Sequence, residues 1–259
     1  MRIGIHAAQA GRLADPAAVR AVAVAAEQVG YSSVWAGDDP SRPVGDRDPG
    51  ADLDPLAVLA ASATVTSQVR LGAGVLIAAR HRPEVLARAV RSLDVLSEGR
   101  LTIGLRAPTE LVTAHLDELA PPGAPRTGRP PVLVAAATEV ELDIVARRAD
   151  GWIAEALPIH RFEDLRGSLF DQARSHGRDP ADLDVVVRAD ITHLHHPTTG
   201  DRTVFTGDLD QVVGDLVAVS RVGADEVILH VTGDCSLDEL LATYADLTEA
   251  VGALVPVGR

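Results

Sequence analysis

The stretch VRLGAGVLIAARHRPEVLARAVRSLDVLSEGRLTIGL, Val69–Leu105, constrains the fold more than any other part of the chain. Val69–Leu76 is a continuous apolar run broken only by Arg70 and small glycines, as in a strand covered on both faces. Pro83 suits the first turn of a helix, where its missing N–H costs nothing. Val85, Leu86, Ala89, Val90, Leu93 and Leu96 then recur at helical spacing along one face. Glu98-Gly99 closes that helix, and Arg100–Leu105 reads as a second strand. Two such strands joined through a helix lie parallel, which makes one βαβ unit.

The same rhythm runs through the rest of the chain. Further strands are expected at Arg2–His6, Ser33–Gly37, Val132–Ala136, Gly151–Ala154, Asp184–Thr192 and Asp225–Val231. Helices are expected at Ala17–Val29, Leu56–Thr66, Thr109–Leu119, Glu139–Ala149, Arg161–Gly177, Asp208–Val222 and Leu237–Leu254. Asp15-Pro16 and Asp54-Pro55 are start signals, and Gly30 is a stop. Eight strands alternating with eight helices over 259 residues predict a (β/α)8 TIM barrel forming a single domain, 1–259. The functional loops should follow the strands, at 7–15, 38–53, 77–82, 106–109, 137–138, 155–160, 193–207 and 232–236.

Composition removes several classes. A net charge of −13 argues against nucleic acid as a partner. No uninterrupted apolar window is long enough for a membrane span, and the chain starts almost directly on a strand, so neither membrane nor signal peptide is expected. A lone cysteine, Cys235, points to a reducing cytoplasm. All 24 basic residues are arginine, which excludes a Schiff-base lysine.

Several residues carry chemistry by type and place. His6 ends the first strand, where barrel catalytic groups sit; acid–base work and a satisfied core histidine are both open. Asp38 and Asp39 follow the second strand, as acid–base groups or as turn caps. His193, His195 and His196, with Asp190 and Asp201, form the densest histidine group, for which a solvated loop outweighs a metal site. Trp35 and Trp152 read as core packing ahead of ring stacking on a cofactor, Cys235 has no activating neighbour in sequence, and the His81 region is open between a cofactor contact and a cap for the helix that Pro83 opens.

With that layout in place, five segments resemble the bacterial luciferase-like oxidoreductases, flavin-dependent monooxygenases and deazaflavin (coenzyme F-420) dependent enzymes. They are RIGIHAAQAG with its Gln, EQVGYSSVWAGDD, the whole of Val69–Leu105, PPVLVAAATEVELDIVARRADGW and HGRDPADLDVVVR. The resemblance implies a flavin or deazaflavin at the C-terminal mouth of the barrel, F-420 or FMN with a lean to the deazaflavin. It also implies a small-molecule substrate and a homodimer. It places a non-prolyl cis bond at Gly74–Val75 beneath the ring and phosphate contacts at Ala136, Ala137 and Thr138, with Arg106 as a further cofactor contact. Asp38, His6 and Glu110 are the catalytic candidates, Glu110 standing in for an acid after the fourth strand.

The chain also departs from that pattern. Asp39 replaces a histidine, Arg106-Ala107-Pro108 replaces a glycine-rich turn, and Ala135-Ala136-Ala137 replaces glycines of the phosphate loop. The segment between the fourth and fifth strands is short, leaving 106–130. Glu139, Glu141 and Glu155 would repel a phosphate; Arg80, Arg82, Arg106, Arg126 and Arg129 would clamp one at the mouth or serve as surface charges. The alternative reading is therefore a degenerate barrel without flavin, acting as a binding or partner protein.

Overall fold

The computed structural model describes residues 1–38, 53–155, 157–192, 197–198, 202–233 and 235–254. Eight parallel strands close into a barrel in chain order: β1 Arg2–His6, β2 Ser33–Ala36, β3 Arg70–Ile77, β4 Leu101–Arg106, β5 Val132–Ala135, β6 Gly151–Glu155, β7 Asp184–Ile191 and β8 Glu226–Val231. Their helices are α1 Pro16–Val29, α2 Pro55–Ala63, α3 Pro83–Leu96, α4 Thr109–Leu119, α5 Glu139–Arg148, α6 Ile159–Ser175, α7 Leu209–Val222 and α8 Leu237–Gly252. The expected alternation is thus present throughout, with ends moved by a few residues. Helix α2 stops at Ala63, three residues early, where the Thr64 hydroxyl bonds back to Ala61 O. Helix α6 starts two residues early, directly after Pro158. Short 3₁₀ turns at Gly11–Leu13, Ala78–Arg80 and Pro180–Asp182 had no expectation in the sequence.

Local chemistry sets the helix starts. The Asp15 carboxylate accepts from Ala17 and Ala18 N–H, and that of Asp54 accepts from Ala57 N–H, each ahead of a proline at the first helical position. Gly30 ends α1 in the left-handed region at φ 91°, which a side chain would disfavour.

Strand parity divides the core in two. Outward residues such as Ile5, Val34, Leu71, Ile103, Val134, Trp152, Val187 and Leu229 join the helices in one continuous apolar layer, where Trp152 stacks on Phe162 of α6 at 5.4 Å. Inward residues Trp35, Val75, Leu133, Ala135, Ile153, Val186 and Ile228 form a separate cluster in the barrel throat. A tryptophan fits there because β3 gives up its side chains, as β4 does for Ile153. A Cβ on Gly72 would lie 2.0 Å from the Trp35 ring, one on Gly74 2.8 Å from it, and one on Gly104 2.4 Å from Ile153. Below, the buried Glu226 carboxylate takes hydrogen bonds from Ser33, Ser32 and the Trp35 indole N–H, and pairs with Arg70 and Arg2. That cluster closes the N-terminal end of the barrel by tying β1, β2, β3 and β8 together.

Arg126 and Arg129 also lie at this closed end. Arg129 holds Asp150 at 2.5 Å, and Arg126 reaches Asp150 at 3.3 Å and Asp184 at 3.8 Å, at the starts of β6 and β7. The short 106–130 segment returns past the base of the barrel, so these two arginines are structural and are removed from the mouth.

Trp35 packing against Gly72 generates a direct expectation. Gly72→Ala should destabilise the protein by about 1–3 kcal/mol through overpacking, read as a lower urea midpoint with unchanged slope, and Trp35→Phe in the same chain should recover part of it. An unchanged midpoint for Gly72→Ala overturns this account of the throat.

Candidate functional site

Among the described residues the C-terminal mouth carries two groups of polar side chains. The first lies where β2 ends against β3. The peptide Gly74–Val75 is cis, as expected, and the β3–β4 register slips between Ala73 and Leu76. Gly37 backs this bulge so closely that a Cβ there would come 2.6 Å from Gly74 O and Val75 N. The buried Gln9 amide clamps Gly37 at both ends, donating to its carbonyl (2.7 Å) and accepting from its N–H (3.0 Å). Asp38 follows: its N–H donates to Val75 O (3.0 Å), while its carboxylate accepts from Ile77 N–H (2.7 Å) and faces His81 Nε2 at 3.3 Å and Arg80 at 3.7 Å. Burial pushes the Asp38 carboxyl up, but the hydrogen bonds from His81 and Ile77 and the nearby charges of His81 and Arg80 outweigh it and hold it below the usual range. The acid after the second strand thus finds a histidine across β3 rather than next in sequence. Behind it, the buried His115 ring of α4 lies 3.1 Å from His81 O and 2.8 Å from Leu111 O.

The second group runs around the mouth from β4 to β1. Arg106 at the end of β4 pairs with Glu155 at the end of β6. Glu155 faces Arg188 of β7 at 2.7 Å, Arg188 holds Asp190 at 2.9 Å, and Asp190 receives His230 Nδ1 of β8 at 2.6 Å. The His230 ring lies against His6 of β1, centroids 4.1 Å apart and planes tilted by 37°. All six are inward by strand parity, at the last or near-last inward position of their strands. Burial, and then the positive charges of His230 and Arg188, push the His6 imidazole well below its ordinary range, so it is neutral near neutral pH. Burial raises Asp190, but the His230 hydrogen bond and Arg188 reverse this and hold it firmly ionised.

The expected phosphate loop is differently engaged. Thr138 caps α5 by accepting from Glu141 N–H (3.3 Å), and the Glu141 carboxylate accepts from Ala137 N–H (2.8 Å), Thr138 N–H (3.1 Å) and the Thr138 hydroxyl (3.1 Å). Ala136 O accepts from the Trp152 indole N–H at 2.9 Å. The donors expected to meet a phosphate meet a carboxylate of their own helix in a capping box.

The structure therefore brings Asp38, Gly74 and Val75 together in one group, and His6 and Arg106 in the other. It leaves Glu110 exposed on the first turn of α4, outside both groups. Arg82 is exposed and pairs with Glu84. Asp39 and the histidine group His193, His195 and His196 with Asp201 lie outside the described residues. Among the described residues no set of three potential ligands could hold a metal, and no helix is long and apolar enough to cross a membrane. A cavity of about 520 Å³ opens between the start of α6 and the loop before α7; Arg202 in its wall is held bidentately by Asp215 at 2.6 and 2.7 Å. It is separate from the mouth groups. Sequence reasoning gave no site role to Gln9, Arg188 or His230 and took Glu155 as a mere repulsive charge. The missed signal was period two: each strand from β6 to β8 places an ionisable residue at inward parity at its C-terminal end.

The sequence model of the luciferase-like monooxygenases matches residues 1–113 and 106–196. The chain belongs to that family. It is 30% identical over 201 residues to the F420-dependent hydroxymycolic acid dehydrogenase of Mycobacterium tuberculosis, a match covering 62% of this chain and 55% of that protein. The chain thus spans little more than half of that relative. Among solved structures it resembles monooxygenase RslO1 from Streptomyces bottropensis, with TM-score 0.74, 19% identity and coverage of 98% and 99%. It also resembles an F420-dependent secondary alcohol dehydrogenase in complex with an F420-acetone adduct, with TM-score 0.73, 14% identity and coverage of 96% and 98%. At these identities the structures establish the barrel.

The buried neutral His6 has a consequence for acid stability. The unfolded chain takes up a proton at this residue near pH 6.5, and the folded chain resists until well below that. Stability should therefore fall as pH drops from 6.5, by up to about 1.4 kcal/mol per pH unit from this residue. His6→Asn should flatten urea-derived stability between about pH 6.5 and 5. A variant curve parallel to that of the native protein overturns the assignment.

Proposed function

We propose that this chain is an oxidoreductase that holds a deazaflavin of the F420 type at the C-terminal mouth and exchanges a hydride with a small organic substrate. The observation that carries the reading is the pairing of the cis Gly74–Val75 bulge with the clamped Gly37–Asp38 turn, which builds a backbone shelf at the mouth. The F420-dependent dehydrogenases among its relatives favour the deazaflavin over FMN.

The described residues fit the ring end of such a group. Gly74 and Val75 supply the shelf, and Asp38, ionised and fixed by Ile77 N–H, is an orienting acceptor. Arg188 Nε, buried and without a hydrogen-bond partner among the described residues, suits a polar ligand arriving at the mouth. A bound deazaflavin supplies the hydride acceptor or donor. The protein's part is to orient the ring, exclude water from its inner face and keep the Arg106–Glu155–Arg188–Asp190 charges in balance beside it.

The phosphate end fits through Ala137 and Thr138 only when Glu141 swings away. That contact favours the second reading, a barrel of this family that has given up its cofactor. A homodimer paired through barrel helices is also part of the proposal, consistent with exposed Val85, Val95 and Leu96 on or near α3; sedimentation at micromolar protein tests it.

Titration of the purified protein with F420 and with FMN, followed by fluorescence, decides between the two readings. The expected result is saturable micromolar binding of F420, tighter than FMN. Glu141→Gln, which removes the competing negative charge, should tighten F420 binding by about 3- to 10-fold, roughly 0.7–1.4 kcal/mol of relieved competition. Binding of neither compound overturns the cofactor reading in favour of the cofactor-free barrel.

A further inference from the structure

We propose that His230, oriented by Asp190, is the proton-transfer residue of the mouth, and that its substrate is an uncharged alcohol or the matching carbonyl compound. This rests on the cofactor reading above. Asp190 is ionised and can only accept, so the 2.6 Å contact fixes the proton on His230 Nδ1. Nε2 has no hydrogen-bond partner among the described residues, on a side chain 28% exposed, and is the ring nitrogen left to take up or give a proton. A base held by a second group, with its other nitrogen open to the mouth, has the arrangement a general base needs.

The surroundings support the assignment from each packed strand. From β7, Asp190 stabilises the imidazolium once it forms, and Arg188 is already held by Asp190 and Glu155. From β1, the neutral His6 ring lies against His230 at a tilt of 37° without bringing a charge. From α8, the Tyr244 hydroxyl is committed to His6 O at 2.9 Å. The other candidates are engaged elsewhere. His6 is buried with Nδ1 against Ala7 O, and Glu110 lies exposed on α4. The His81–Asp38 contact is longer, at 3.3 Å, and its carboxylate is shared with Ile77 N–H and Arg80.

Charge balance selects the substrate class. Arg106 and Arg188 are matched by Glu155 and Asp190, and Asp38 is matched by Arg80, so neither group offers an uncompensated charge to a carboxylate or an amine. A hydroxyl or carbonyl oxygen suits an imidazole nitrogen in such a place. In the oxidative direction the alcohol O–H bond breaks and its proton forms an N–H bond at His230 Nε2. The carbinol C–H bond breaks, its hydride leaves with two electrons to a bound deazaflavin, and the C=O bond forms. In the reverse direction the imidazolium returns the proton to the carbonyl oxygen.

The test combines chemical modification with turnover. Diethyl pyrocarbonate, which acylates neutral accessible imidazoles, should label His230 in the cofactor-free protein, located by peptide mass spectrometry, and saturating F420 should slow that labelling by about tenfold or more. Reduction of bound F420 by 2-propanol, 2-butanol and cyclohexanol is then followed from about pH 5 to 9. His230→Gln should lower the rate by about 100-fold or more and remove its pH dependence, with F420 affinity within about threefold of the native value. Asp190→Asn should lower it by about 10-fold or more and shift the pH profile. If F420 fails to bind, the fluorescence titration shows it and the cofactor reading falls. If F420 binds and His230 stays unlabelled or unprotected, if His230→Gln keeps its rate and profile, or if no alcohol reduces bound F420, the present proposal falls alone.

Discussion

The fit of Trp35 into the glycine-lined throat governs the rest of the barrel. An indole occupies the space that side chains of β3 would otherwise fill, and its N–H is carried by Ser33 and Glu226 at the closed end. Glycine on β3 therefore does two things. At Gly72 it admits the ring, and at Gly74 it allows the backbone to run close to that ring and turn into the cis bulge beneath the mouth. The shelf and the core are one piece of packing, since close-packed interiors transmit any displacement to their neighbours.

Above that plug the throat changes character within one inward step. Ile153 is followed by Glu155, Val186 by Arg188 and Ile228 by His230. Charged groups this deep are tolerable because each has an opposite partner on a neighbouring or next-neighbouring strand. On the β7–β8 side Arg188, Asp190 and His230 are linked side chain to side chain, and the network ends on the His6 ring that lies against His230.

Much of this was legible in the sequence for a simple reason. Barrel strands buried on both faces read as short apolar runs, and proline and aspartate mark the helix starts, so the order of elements followed from local chemistry. Asp38 and Gly74–Val75 were also legible, because a contiguous motif carries them. The mouth network was not, since Arg106, Glu155, Arg188, Asp190 and His230 come from four strands and meet only after closure. Thr138 carries two patterns at once. Its position after β5 suggested a phosphate contact, yet Thr138 followed three residues later by Glu141 is also the pattern of a capping box, and the nearer partner prevailed. Arg126 and Arg129 could not be told apart from mouth arginines, because composition cannot say which way a proline- and glycine-rich segment returns.

The course of residues 107–131 has a bearing on how such a chain diversifies. Arg106 passes into α4 through two residues, and the return from α4 to β5 is held at the barrel base by Arg126 and Arg129. No long connection from β4 is left to shape the mouth. The long connections that follow strands are those after β2 and β7, residues 37–54 and 192–208. Length variation after the strands is thereby concentrated in two segments, while the charge network is built from strand residues that such variation leaves in place.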